Sequence, residues 1–361
     1  MSLPRDSGHL DSVLSMAARL ERFKARTNNY TLSPSQYTRI AWVALGALTL
    51  IVLTGAAVRL TGSGLGCPEW PKCYGKLYPP LSSHALIEFS NRTITVPVSL
   101  AAIAAWLAAY RRRPYRRDLM WISLLLPLGV LAQAILGGLT VEGKLAYGWV
   151  MAHFALSMVI LIAAVALVYR ARHEPSELGR QADALLRRLA WVLVFLCGLT
   201  IFAGTAATAA GPHSGGEPGQ PISRLDFEGA HTMDFVIHRH AEVAIAFGLF
   251  AVLFWWLVRR RAADRTLLRQ ATALCILIAL QGLVGAVQYE THLPTELVWV
   301  HVALATFTWL ATLWCAARAL RPPVADMAAS RSGEGRAAVD QERIEAVGVP
   351  AALQARSPAS A

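Results

Sequence analysis

Eight apolar runs constrain this chain more than any other feature. They fall at about 40–58, 85–110, 119–139, 147–169, 189–210, 231–258, 267–288 and 296–318. Each is near the roughly 20 residues that a helix needs to cross about 30 Å of hydrocarbon. The composition agrees: 55% of residues are hydrophobic and 16% charged, a balance that soluble domains rarely carry. An all-α integral membrane protein with eight transmembrane helices is the expected fold class.

The connections can be tested for sidedness, since Lys and Arg accumulate on the cytoplasmic side. Of 34 Lys and Arg residues, 27 fall on one alternating set: the segment to Arg39, 111–117, 170–188, 259–269 and the segment from Arg318. The opposite set and the helix ends bordering it hold Arg59, Lys72, Lys76, Arg92, Lys144, Arg224 and Arg239. Both termini are therefore expected in the cytoplasm. The +11 net charge reads as topology plus attraction to anionic lipid, and it calls for no nucleic-acid partner.

Residues 1–38 form the expected cytoplasmic N-terminal segment and carry no apolar core of signal-peptide type. Within them, 10–23 reads either as a short helix lying on the membrane surface or as a disordered arm. Residues 319–361 read as a disordered cytoplasmic tail. Cys197, Cys275 and Cys315 lie inside apolar runs and read as packing residues. Cys67 and Cys73 share the first outer connection, where an oxidising environment permits a disulfide; a metal pair is the alternative.

The chain also repeats itself. Gln133, Gly137 and His153 match Gln281, Gly285 and His301 at an offset of 148, and Asn91 and Arg92 match His238 and Arg239 at 147. Two four-helix bundles of the same orientation follow, at 39–170 and 189–318, joined by a cytoplasmic linker at 171–188. Equivalent sites should then recur in both halves. Asn91, His153, His238 and His301 should all lie within a turn or two of the outer helix ends.

A lone membrane histidine can simply hydrogen-bond across helices. Two at repeat-related positions point to function, because ionisable groups are costly in lipid. Two neutral imidazoles on facing helices suit axial ligation of haem iron. The anionic propionates then call for a cation, for which Arg239 and Arg92 are candidates, with snorkelling as their alternative. His240 is two residues from His238, on roughly the opposite helix face, and its repeat counterpart is Thr93; it is not expected to be a ligand. Glu88 lies one turn before Asn91, whereas its counterpart is Phe235. One half thus carries a carboxylate able to move protons and a single clear iron ligand, His153. The ordinary reading of Glu88 is an ion pair with Arg92.

These residues resemble the haem A synthase family. The resemblance rests on "TGSGLGCPEWPKC", "EFSNR", the "HR" segment and the histidines opening the fourth and eighth helices, and it covers about 38–318. It implies an oxidoreductase of the bacterial plasma membrane that converts a ring methyl of haem O to a formyl group by successive hydroxylations and loss of water. It implies haem B as cofactor in the second half, on His238 and His301. It implies haem O as substrate in the first half, with His153 as ligand and Glu88 as the catalytic carboxylate. Haem O would come from a haem O synthase, and electrons from an unidentified donor; a homo-oligomer is compatible. Asn91 stands where many members have a histidine, so it is expected to hydrogen-bond a water or oxygen species at an open iron position. A non-catalytic cytochrome b-type electron relay is the main rival, with a secondary transporter or an assembly scaffold behind it.

Overall fold

The computed structural model describes residues 30–176, 183–217, 219–261 and 264–320. The expected surface helix at 10–23 and nearly all of the tail lie outside them, as does part of the linker. The described chain forms eight long helices: α1 Pro34–Leu60, α2 Ser83–Arg111, α3 Arg117–Glu142, α4 Tyr147–Ala171, α5 Ala184–Ala210, α6 Thr232–Arg261, α7 Arg265–Glu290 and α8 Thr295–Leu320. All eight are long and apolar enough to span a membrane. This is an all-α, multi-pass membrane protein.

The helices mostly start earlier and end later than the apolar runs, because polar residues cap them. Ser33 forms a capping box with Gln36 ahead of Pro34. Asp183 and Asp264 accept backbone N–H groups at the starts of α5 and α7. A hydropathy reading has no means of finding these caps, since none is apolar.

Packing closes the helices into two rings. α1 packs on α2 and α4, and α3 on α2 and α4; α5 packs on α6 and α8, and α7 on α6 and α8. The rings meet through α1, α4, α5 and α8. Trp309 of α8 donates to the Met158 carbonyl of α4, and Trp299 donates to the Leu53 carbonyl of α1.

Burial is uneven along the helices. Closely packed residues concentrate toward the ends rich in Lys and Arg: Tyr37, Ala102, Ala105, Leu119, Leu161 and Leu167 in the first ring, and Leu193, Phe254, Val258 and Cys315 in the second. Small residues let these backbones approach. Buried Arg112 pairs with Glu174 there, buried Arg116 with Asp118, and Arg318 with Asp264. Beyond the middle of each helix lies a stretch without one buried residue: 53–57, 89–97, 131–137, 147–157, 198–204, 237–246, 275–290 and 299–305.

The ends poor in Lys and Arg are tied together instead by loops. Arg59 reaches the carbonyls of Thr208 and His213, and the His213 ring bonds the Leu293 carbonyl. Gly64 N–H donates to the Gly215 carbonyl. Gly62 sits at φ 68°, and a Cβ there would lie 2.9 Å from the Gly216 carbonyl oxygen, so the approach of these loops requires glycine. The α3–α4 and α7–α8 turns both place two consecutive residues in the left-handed region, Lys144–Leu145 and His292–Leu293.

Candidate functional site

The loosely packed stretches carry most of the residues singled out by sequence: Asn91 on α2, His153 on α4, His238 on α6 and His301 on α8. α2 and α4 are diagonal members of the first ring, and α6 and α8 of the second.

His153 and His301 have matching surroundings. Gln133 of α3 donates to the His153 carbonyl at 3.0 Å, and Gln281 of α7 donates to the His301 carbonyl at 3.0 Å. A glycine lies against each ring: a Cβ at Gly137 would be 3.3 Å from His153 Cε1, and one at Gly285 would be 3.0 Å from His301 Cε1. In each half the histidine Nδ1 and the glutamine Oε1 are buried without a hydrogen-bond partner. Leaving such atoms unpaired costs about 1–3 kcal/mol each. Buried polar atoms of this kind commonly mark a place completed by water, an ion or a ligand.

The partners of these two histidines differ. In the first ring, Asn91 turns toward α1, where Thr54 Oγ1 donates to its Oδ1 at 2.7 Å. In the second ring, the two α6 imidazoles have different settings. His238 is exposed, and its Nδ1 bonds the Asp234 carbonyl of its own helix at 2.6 Å. His240 is the α6 imidazole that turns inward. Its Nδ1 bonds the Thr200 carbonyl of α5 at 3.1 Å, and its ring centroid lies 6.3 Å from that of His301. The sequence placed His238 and His240 on opposite faces correctly but could not tell which face is inner. A membrane helix is apolar toward lipid and toward its neighbours alike, so its pattern carries little orientation.

The two arginines have different partners. Arg239 is exposed and pairs with Glu242 at 2.5 Å. Arg92 is held by the first outer loop: it donates to the carbonyls of Cys67, Glu69 and Lys72 and pairs with Glu88 at 2.5 Å. Glu88 is buried, and its second carboxylate oxygen accepts the Cys67 N–H at 2.6 Å. Cys67 and Cys73 are joined in a disulfide. The ordinary reading of Glu88, an ion pair with Arg92, is thus present, and both groups are built into the seat of the disulfide loop. His84 lies beside them, its Nδ1 against the Ser63 hydroxyl at 3.0 Å.

A two-ring, eight-helix membrane bundle with imidazoles at the loosely packed level defines the class of protein. The COX15-CtaA family, described as cytochrome oxidase assembly protein, matches residues 38–86 and 82–213. Heme A synthase of Staphylococcus haemolyticus (strain JCSC1435) is 28% identical over 280 residues, covering 74% of this chain and 90% of its own. Heme A synthase of Staphylococcus aureus (strain bovine RF122 / ET3-1) is 26% identical over 275 residues, covering 73% and 89%. The chain is similar to these heme A synthases over about three quarters of its length.

Sequence reasoning missed Thr54, Thr200, Gly204 and Arg59 as supports of this region. It set His240 aside because Thr93 occupies the repeat-related position. The glutamine and glycine pairs were visible as repeats, but their contact with the histidines was not.

Proposed function

We propose that this chain oxidises a ring methyl of haem O to a formyl group, giving haem A, by successive hydroxylations in the bacterial plasma membrane. The observation that carries the reading is the shared setting of His153 and His301. Two imidazoles, each against a glycine and each with an unpartnered nitrogen, stand in the part of the bundle where the helices do not close on one another. Those donors suit the faces and iron of a haem. The likeness to heme A synthases suggests the substrate class.

In this reading the first ring takes haem O, with His153 toward its iron, and the second holds haem B through His301. Haem B, when bound, supplies one-electron transfer. Asn91 offers an amide across the first ring from His153, an uncharged group too weak as a ligand to saturate an iron. Glu88, one turn from Asn91, holds or moves a proton at the outer end of that ring. Arg92 and the disulfide loop fix where its carboxylate stands, and the loop shields that end from bulk water. The electron donor is a separate component.

Purification in detergent followed by mass identification of the extracted pigments tests the reading. Haem B together with haem O, its hydroxylated form or haem A is the expected result. Haem B alone would favour an electron relay, and a pigment-free protein would leave a transporter or scaffold.

A further inference from the structure

We propose that the Arg-rich end of α6 holds the headgroup of an anionic phospholipid, with its phosphate between the guanidinium groups of Arg259 and Arg260. The site lies at the opposite end of the helix from the histidines and does not depend on what the rings bind.

Three observations converge. The first is depth. α6 has 30 residues and is therefore about 45 Å long. Hydrocarbon takes about 30 Å of that, and the headgroup layers take most of the rest. The last turn, with Arg259, Arg260 and Arg261, then stands among lipid phosphates. Trp255 and Trp256, one turn earlier, stand at the interface that tryptophan favours.

The second is charge. Arg261 pairs with Asp183, and Asp264 is taken by Arg318 and by the first N–H groups of α7. Arg112, Arg116 and Arg170 each have a carboxylate as well. Among the described residues, Arg259 and Arg260 have none. The C-terminus of α6 sets only about half a negative charge against them, so more than one positive charge is left over.

The third is shape. The two arginines and the two tryptophans line an open recess of about 420 Å³, within the range of small-ligand sites. Each guanidinium carbon lies 5.6 Å from the centroid of the indole one turn before it, Arg259 over Trp255 and Arg260 over Trp256. Stacking of this kind steadies the planar fork and leaves its N–H edges to bond a phosphate in pairs. Trp255 is itself fixed, because its indole N–H donates to Thr272 Oγ1 of α7 at 2.9 Å. Trp256 is exposed and offers an apolar wall to the glycerol and first acyl carbons. A soluble anion gains the charge contact alone, whereas a lipid gains both.

The test uses the full-length protein, stripped of lipid in detergent. It is titrated with short-chain phosphatidylglycerol, phosphatidylcholine of the same chain length, or inorganic phosphate, and bound adducts are counted by native mass spectrometry. A single phosphatidylglycerol per chain should be retained, more tightly than phosphatidylcholine, and inorganic phosphate should not displace it. Arg259→Gln with Arg260→Gln should weaken that binding by about tenfold or more. Arg259→Lys with Arg260→Lys keeps the charge but loses the fork, and should recover the binding only in part. Arg187→Gln with Arg188→Gln removes the same charge from exposed positions on α5 and should leave the binding unchanged. Equal weakening by the two glutamine pairs would reduce the effect to general surface charge and overturn the site, as would unchanged binding in both. Displacement by inorganic phosphate at equal concentration would make it a free-anion site and overturn the lipid assignment.

Discussion

The two rings share one frame and differ at their outer ends. Each sets a histidine on its fourth helix against a glycine and a glutamine of its third. Above the first, Glu88 and Arg92 clamp a disulfide loop onto α2. Above the second, the position of Glu88 is Phe235, which packs edge-on against Phe227 and beneath Arg239. An ion pair with backbone bonds fixes one top, and aromatic contacts soften the other. The opposing helices differ as well: α2 sends an asparagine to a threonine hydroxyl of α1, whereas α6 sends an imidazole to a backbone carbonyl of α5. The two rings therefore hold similar donors and differ in what lies opposite and above them.

The sharpest way to break this comparison is Glu88→Ala. Haem O conversion should fall below detection, by about 100-fold or more as for a lost proton-transfer group, while the haem B spectrum of the second ring stays unchanged. Conversion that survives would remove the distinction between the rings.

The repeat-related arginines come next. Arg92→Ala deletes an ion pair and three carbonyl bonds in a largely enclosed place, and should lower stability by about 3 kcal/mol. Arg239→Ala removes an exposed pair and should change stability by no more than about 0.5 kcal/mol. Thermal melts in one detergent measure both, and equal losses would contradict the difference drawn between the two tops.

The glycines give a finer contrast. Gly285→Ala brings a methyl to 3.0 Å from the His301 ring, against 3.3 Å for Gly137→Ala and His153. Overpacking of this kind costs about 1–3 kcal/mol. Gly285→Ala should therefore lower haem B occupancy more than Gly137→Ala weakens capture of haem O, as read by haem content and by substrate titration. Thr54→Val removes the hydroxyl that Asn91 accepts from, and a thermal melt should show a loss of about 1 kcal/mol in stability.

The fold was legible because lipid thickness writes directly into sequence as eight apolar runs. The histidines of α4 and α8 were legible because the repeat set them at one offset together with a glutamine and a glycine. What escaped was rotation and docking. "HRH" on α6 offers two imidazoles on opposite faces, and the sequence does not say that His240 is the one packed against Thr200 and Gly204 of α5. Arg92 reads in sequence as a propionate partner or as the ion-pair partner of Glu88; its bonds to the carbonyls of Cys67, Glu69 and Lys72 depend on the path of a loop closed by a disulfide.

One consequence of the uneven packing concerns motion. Firm cores and buried ion pairs bind the helices on one side of the bilayer, like the spine of a book, while thin loop-to-loop ties hold the page edges. Amide exchange should then be graded along the membrane normal, slowest beside Leu119 and Phe254 and fastest beside His153 and His301. Under the proposed function, that looser edge is where a bulky, rigid macrocycle would enter and leave while the spine stays closed.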